Sequence, residues 1–173
     1  MGHAGVGPAR IQRNRGWCRF VGPHDRTGVQ GVPKSGKCVL PVADAAKLPC
    51  HSEFFNTLLS VEAIYYYPEL EGVAAEVHRI LKPGGRAFFL TNYYRENVYG
   101  HNWAKYIDIP VHLLGAADYM EVLIKVGFRA ASHRRIVDST PIPEDWKPTN
   151  WFPTRQDQAK FQSEGALLLI AEK

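Results

Sequence analysis

Residues 54–91 hold two apolar runs separated by one amphipathic stretch, and that order leaves the chain few ways to fold. FFNTLLS (54–60) and AFFLT (87–91) are short and mostly apolar throughout. Such runs suit strands of a parallel sheet covered on both faces, because each strand is then buried on both sides. Between them Leu70, Val73, Ala74, Val77, Ile80 and Leu81 recur at three- and four-residue spacings, which predicts one apolar face on a helix of about three turns. Pro68 and Glu69 suit its first turn: proline lacks the donor that would be orphaned there, and the carboxylate meets the positive end of the helix dipole. His78, Arg79 and Lys82 suit its last turn. Pro83 then forbids continuation, and Gly84-Gly85 supplies the positive φ angles of a tight reversal. The expectation is a βαβ unit, with strands over 54–60 and 86–91 adjacent and parallel and a right-handed crossover through a helix near 69–81.

The alternation continues on both sides. A strand is expected at 39–43, and a helix at 118–125 with Tyr119, Val122, Leu123 and Val126 on one side and Gly127 as its stop. Residues 128–137 and 166–172 read as a closing pair of strands, antiparallel to each other. The segment between them, 140–165, is rich in proline and polar residues. It is expected to cross the surface as an irregular loop, pinned by Trp146, Trp151 and Phe152. Such a pattern predicts an open α/β sheet, in which ligands bind in the crevice beyond the carboxyl ends of the strands. Residues directly after strands are therefore the functional candidates: Asp44-Ala45, Ser60-Val61-Glu62, and Asn92-Tyr93-Tyr94.

At 173 residues with 45% hydrophobic content the chain can bury one sizeable core, so a single domain is expected. The longest aliphatic run, 167–171, is far shorter than the roughly 20 residues that span a bilayer, and the N-terminus has no apolar signal core. Val6 stands where a myristoylation motif requires Ser or Thr. A cytoplasmic protein without membrane association is expected. Three cysteines (Cys18, Cys38, Cys50) form no CxxC pair, and seven histidines show no HxxxH spacing, so free thiols and no metal are expected. The net charge of +4 is mild, and the arginines at 10–19 and 134–135 come with no nucleic-acid motif. They read as solvated faces.

VADAAKLP (42–49), FFNTLLSVEAIYYYP (54–68) and EVHRILKPGGRAFFL (76–90), in that order and spacing, resemble the central and later motifs of class I S-adenosylmethionine-dependent methyltransferases, especially the small-molecule group. The likeness runs less specifically through GF (127–128) to ALLLIAEK (166–173). It implies a Rossmann-like, mostly parallel sheet with an antiparallel last strand, S-adenosylmethionine as cofactor and a small-molecule acceptor. It also implies that the Asp44 carboxylate and the Ala45 amide read the adenine edge, as an acceptor and a donor can. Ser60 and Val61 would bring backbone carbonyls near the methionine portion, with Glu62 as partner of its ammonium. Asp44 has a second reading as the cap of the short turn AAKL, and Ser60 as a local cap at the strand end. Tyr65 or Tyr66 would line the pocket, while Tyr67 beside Pro68 reads as core. Tyr93, Tyr94, Tyr99, Trp103 and Tyr106 would form, with Asn92, an aromatic wall on the acceptor side.

The N-terminal part departs from that pattern. Family members open with a strand and a GxGxG loop that lets the backbone approach the cofactor. Here only Gly5 and Gly7 remain, with His3 at the first position and no strand-forming residues ahead. Asp25 stands where the family has an acidic residue for the ribose hydroxyls. RTGVQGVPKSGKC (26–38) has no helical periodicity where a helix is expected. Residues 1–38 are accordingly read as a truncated or diverged part of the fold and 39–173 as its intact core. Without a first strand, the strand at 54–60 exposes an apolar edge. Three functions remain: methyl transfer to a small molecule, a degenerate relative that binds no cofactor, and a nicotinamide dehydrogenase, which the absence of GxGxxG disfavours.

Overall fold

A computed structural model describes residues 17–18 and 43–173. Two short strands, β1 (Trp17–Cys18) and β2 (Ala43–Asp44), pair antiparallel as a small separate sheet. The strand expected at 39–43 reaches the described residues only through Ala43. The main sheet comprises β3 (Phe55–Val61), β4 (Leu81–Thr91), β5 (Ala130–Ile136) and β6 (Ala166–Glu172) in the order β3-β4-β6-β5. β3 pairs parallel with β4, whereas β6 runs antiparallel to both β4 and β5. Three strands thus share one direction and the last strand, inserted between β4 and β5, opposes them. Both expected pairings are present.

Helix α1 (Leu70–Ile80) connects β3 to β4 and buries Val73, Ala74, Val77 and Ile80, four of the residues whose spacing predicts it. It starts one residue after Glu69, so Glu71 supplies the acid of its first turn. Helix α2 (Ala116–Lys125) buries Ala116, Tyr119 and Leu123, and Gly127 follows its end at φ +110°. Asp118 accepts from the Gly115 amide at 2.7 Å, satisfying a donor at the helix start that would otherwise be orphaned. Ala87, Phe89, Leu167, Leu169 and Ala171 line the sheet face against which these helices close the core.

The KPGG turn lies inside β4 as a bulge, where the register against β3 jumps from Phe55↔Leu81 to Thr57↔Arg86. Gly84 sits at φ +75°, and its amide donates to the Lys173 carbonyl at 2.8 Å, while the Lys173 amide donates to Gly85 at 3.0 Å. A Cβ on Gly85 would fall 2.8 Å from the Lys82 carbonyl. Both glycines are therefore required, one by its φ angle and the other by close backbone approach. The helix ends earlier, where Glu53 and Phe54 amides donate to the Arg79 and Ile80 carbonyls.

The connection from β5 to β6 departs from expectation. Residues 138–154 are irregular, but α3 (Arg155–Glu164) occupies the rest. Thr154 and Asp157 form a reciprocal capping box that starts it. Polar spacing without an apolar stripe hides such a helix from periodicity. Trp146 donates to Gln158 and Phe152 packs on Phe161 at 5.0 Å, so the aromatics pin the irregular part onto α3.

Among the described residues β3 is an edge of the sheet, and Leu59 and Val61 on it are 67% and 51% exposed.

Candidate functional site

The carboxyl ends of β3 and β4 lie side by side, since the strands are parallel and Val61 pairs with Leu90. Glu62 leaves β3 with φ +51°, a conformation that costs a residue with a Cβ on the order of 1–2 kcal/mol. Its amide donates to the Leu90 carbonyl at 2.8 Å, which fixes the turn. One oxygen of its carboxylate accepts from the Asn92 backbone amide (2.8 Å) and from Asn92 Nδ2 (3.0 Å). Tyr65 Oη donates to the other at 3.1 Å. The two Asn92 donors tie the strand ends together, and Tyr65 closes the turn that follows β3.

Around that carboxylate lies a cavity of about 500 Å³ lined by Glu62, Tyr65, Tyr66, Asn92, Tyr93, Tyr99, Gly100, Trp103, Trp151, Phe152 and Phe161. The short 3-10 turn Ile64–Tyr66 carries two of the tyrosines, and a longer one, Val98–Tyr106, carries Tyr99 and Trp103. Tyr65, Tyr93 and Trp103 meet at 5.1–5.4 Å between ring centres. Trp151 stacks beyond Trp103 at 6.4 Å.

The same surroundings set the charges. Burial pushes the Glu62 carboxyl above its ordinary range, against the opposing pull of the Asn92 and Tyr65 hydrogen bonds. Burial first, and then the Glu62 charge, raises the Tyr65 hydroxyl, and burial raises those of Tyr66 and Tyr93. These phenols stay neutral near pH 7. Glu62 therefore binds its proton more tightly folded than unfolded. Its charge destabilises the fold nowhere below about pH 4.3, increasingly as pH rises through its raised value, and fully above that. Glu62→Gln, whose carbonyl still accepts from Asn92 and whose amide donates to Tyr65, is accordingly expected to raise the unfolding midpoint in urea at pH 8. The gain should vanish by pH 4; an equal gain at both values would contradict this account.

Asp44 and Ala45 do not line this cavity. Ala45 is fully buried, and the following turn is clamped to α1: the Leu48 amide donates to Glu76 at 2.6 Å, and Arg79 donates to Glu76, Ser52 and the Leu48 and Cys50 carbonyls. The Asp44 carboxylate is exposed and accepts one hydrogen bond among the described residues, from the Ala46 amide at 2.9 Å. Capping of the turn is thus present, and among the described residues nothing donates to the second oxygen. Ser60 is half-buried on β3 beside exposed Val61. Gly5, Gly7 and Asp25 lie outside the described residues.

Several residues differ from their sequence expectation. Tyr94 does not line the cavity: it is fully buried, under the Arg135 guanidinium at 5.0 Å, and donates to the Gly165 carbonyl at 2.9 Å. Tyr106 is 56% exposed, does not line the cavity and packs against Trp151. Trp151, Phe152 and Phe161, read as loop anchors or not at all, line the cavity instead. The one sequence signal for them is the density of aromatic residues in a proline-rich stretch. Among the described residues no group of three or more His, Cys, Asp or Glu could hold a metal ion, and no helix is long and apolar enough to cross a membrane.

A sheet with three strands in one direction, an inserted antiparallel last strand and a cavity at the carboxyl ends of the parallel pair defines a Rossmann-like α/β fold. Residues 25–89 match the model of a methyltransferase domain. Sterol 24-C-methyltransferase of Pneumocystis carinii is 32% identical over 119 residues, covering 63% of this chain and 29% of that protein. Sterol 24-C-methyltransferase erg6 of Schizosaccharomyces pombe is 26% identical over 91% of this chain and 45% of its own length. The chain therefore spans less than half the length of these relatives. A chain in the complex between the Haloferax volcanii Trm112 methyltransferase activator and a methyltransferase superposes with a TM-score of 0.68 at 32% identity, covering 75% of this chain and 58% of that one. These matches make the chain similar, in sequence and in fold, to S-adenosylmethionine-dependent methyltransferases.

Proposed function

We propose that the chain transfers a methyl group from S-adenosylmethionine to a small-molecule acceptor held in the aromatic cavity. The observation that carries this reading is the convergence of Glu62, Asn92, Tyr65 and Trp103 on one cavity at the carboxyl ends of β3 and β4. On this reading the exposed Asp44 carboxylate accepts from an adenine amino group, and Ser60 and Val61 end β3. When bound, the cofactor supplies an activated methyl group. The chain's part is alignment and exclusion of water, which the ring of aromatic side chains suits, and direct transfer needs no further catalytic motif.

A second reading, a relative that no longer binds the cofactor, is supported by the exposed apolar edge of β3, where the cofactor's other wall would stand. Isothermal titration with S-adenosylhomocysteine separates the two. Micromolar or tighter binding is expected for the first, weakened about 1–3 kcal/mol by Asp44→Ala. Asp44→Asn keeps the cap but offers a donor where an acceptor is needed, so it should weaken binding similarly without loss of fold. Millimolar or absent binding by the intact chain supports the second reading, since half a pocket cannot offset the cost of immobilising the ligand.

A further inference from the structure

Glu62 has no described cation to pair with. Ion pairs link Arg79 to Glu76, Arg86 and Arg129 to Glu172, Arg95 to Asp118, Lys125 to Glu71, Arg135 to Glu164 and Lys173 to Glu53, but among the described residues none reaches Glu62. A half-buried carboxylate held by three neutral donors in an aromatic enclosure is a costly arrangement that a bound positive charge would relieve. The faces of Tyr65, Tyr93, Trp103 and Trp151 attract the same charge, because ring quadrupoles favour cations, tryptophan most strongly. An apolar ligand would use the rings but leave the carboxylate uncompensated. An anion would be repelled by it.

From the Glu62 carboxylate, which has no cation partner among the described residues and sits among the cavity's aromatic rings, we propose that the acceptor is a small alkylated amine bound as its ammonium, with its charge against Glu62 and its alkyl groups among Tyr65, Tyr93, Trp103 and Trp151, its N–H proton passing to the Glu62 carboxylate so that the nitrogen lone pair is free to take the methyl group. This rests on the methyltransferase reading and moves Glu62 from the cofactor's side to the acceptor's. The cavity's own lining supports that placement. Its far wall comes from 138–154 and α3, and it includes no residue of β2, where Asp44 stands. The positive φ of Glu62 fits the same account, since strain at a strand end is retained where it aims a functional group.

The test uses choline and its uncharged isostere 3,3-dimethylbutan-1-ol, which match in shape and differ in charge. Titration of the intact chain without cofactor, read by calorimetry and by tryptophan fluorescence, is expected to show choline binding at least tenfold tighter than the alcohol. Glu62→Gln, which keeps the fold, should remove that preference, and Trp103→Leu should weaken choline at least fivefold. Equal binding of the two probes, or a preference that survives Glu62→Gln, overturns the cation site. Absence of choline binding overturns it as well. Displacement of choline by S-adenosylhomocysteine would assign the cage to the cofactor's end of the pocket and overturn its assignment to the acceptor. Choline binding by a chain that fails to bind S-adenosylhomocysteine upholds the cage and removes the methyltransferase reading, so the two fail separately.

Discussion

Gly165→Ala is expected to lower the unfolding free energy by roughly 3 kcal/mol or more, measured by urea denaturation. The glycine ends α3 at φ +74° and ψ 171°, a region that residues with a Cβ essentially do not enter. An added Cβ would lie 2.6 Å from the Ile136 carbonyl oxygen and 3.0 Å from Val137 Cα, backbone atoms of the neighbouring strand that cannot move aside cheaply. The same residue's carbonyl receives the buried Tyr94 hydroxyl, so any shift there reaches the core. Gly84→Ala is the control. Gly84 has a similar φ of +75° but nothing within 4 Å of an added Cβ, so only the conformational cost of about 1–2 kcal/mol remains. Equal losses at the two sites would show that strain alone, without the clash, accounts for Gly165.

The second large effect is expected at Leu169. This side chain is fully buried in the middle of β6, the strand paired with β4 on one side and β5 on the other. Truncation to alanine removes apolar contact in a place where three strands constrain any collapse, so Leu169→Ala should cost about 3–5 kcal/mol. Ile124→Ala, on the half-exposed side of α2, should cost under about 1 kcal/mol. The consequence extends to the site, because β4 positions Asn92 and Tyr93 at its carboxyl end. A destabilised Leu169→Ala chain should therefore lose choline affinity at urea concentrations that leave the parent unaffected. A cost below about 1 kcal/mol at Leu169 would mean that β6 is not the centre of the packed sheet.

The two kinds of glycine argument show why sequence reading succeeds in one place and fails in another. Gly127 follows an apolar periodicity, so its role as a helix stop is visible locally. Gly84 and Gly85 follow a helix too, yet what they serve is a bulge held by the last residue of the chain, Lys173, far away in sequence. Similarly, Tyr94 directly follows a residue that lines the cavity. Its side chain points to Gly165, and only the β4–β6 pairing brings those two together.

For the candidate site, the residues at the ends of β3 and β4 were legible because parallel strands with one helical crossover must end on the same side. Glu62, Tyr65, Tyr66, Asn92 and Tyr93 accordingly meet at one cavity. Its far wall was not legible. Trp151, Phe152 and Phe161 come from a connection whose helix has no apolar stripe, so nothing local distinguished its wall-forming aromatics from loop anchors. What the sequence alone determined is the βαβ unit, the buried faces of α1 and α2, and the side of the sheet on which ligands are to be sought. These depend on periodicity and chain stops within a dozen residues. The bulge in β4, the insertion of β6 between β4 and β5, and the closing of an aromatic enclosure around the Glu62 carboxylate were decided by the tertiary structure. Each requires residues distant in sequence to be brought together, and their pairing free energy exists only once the sheet has formed.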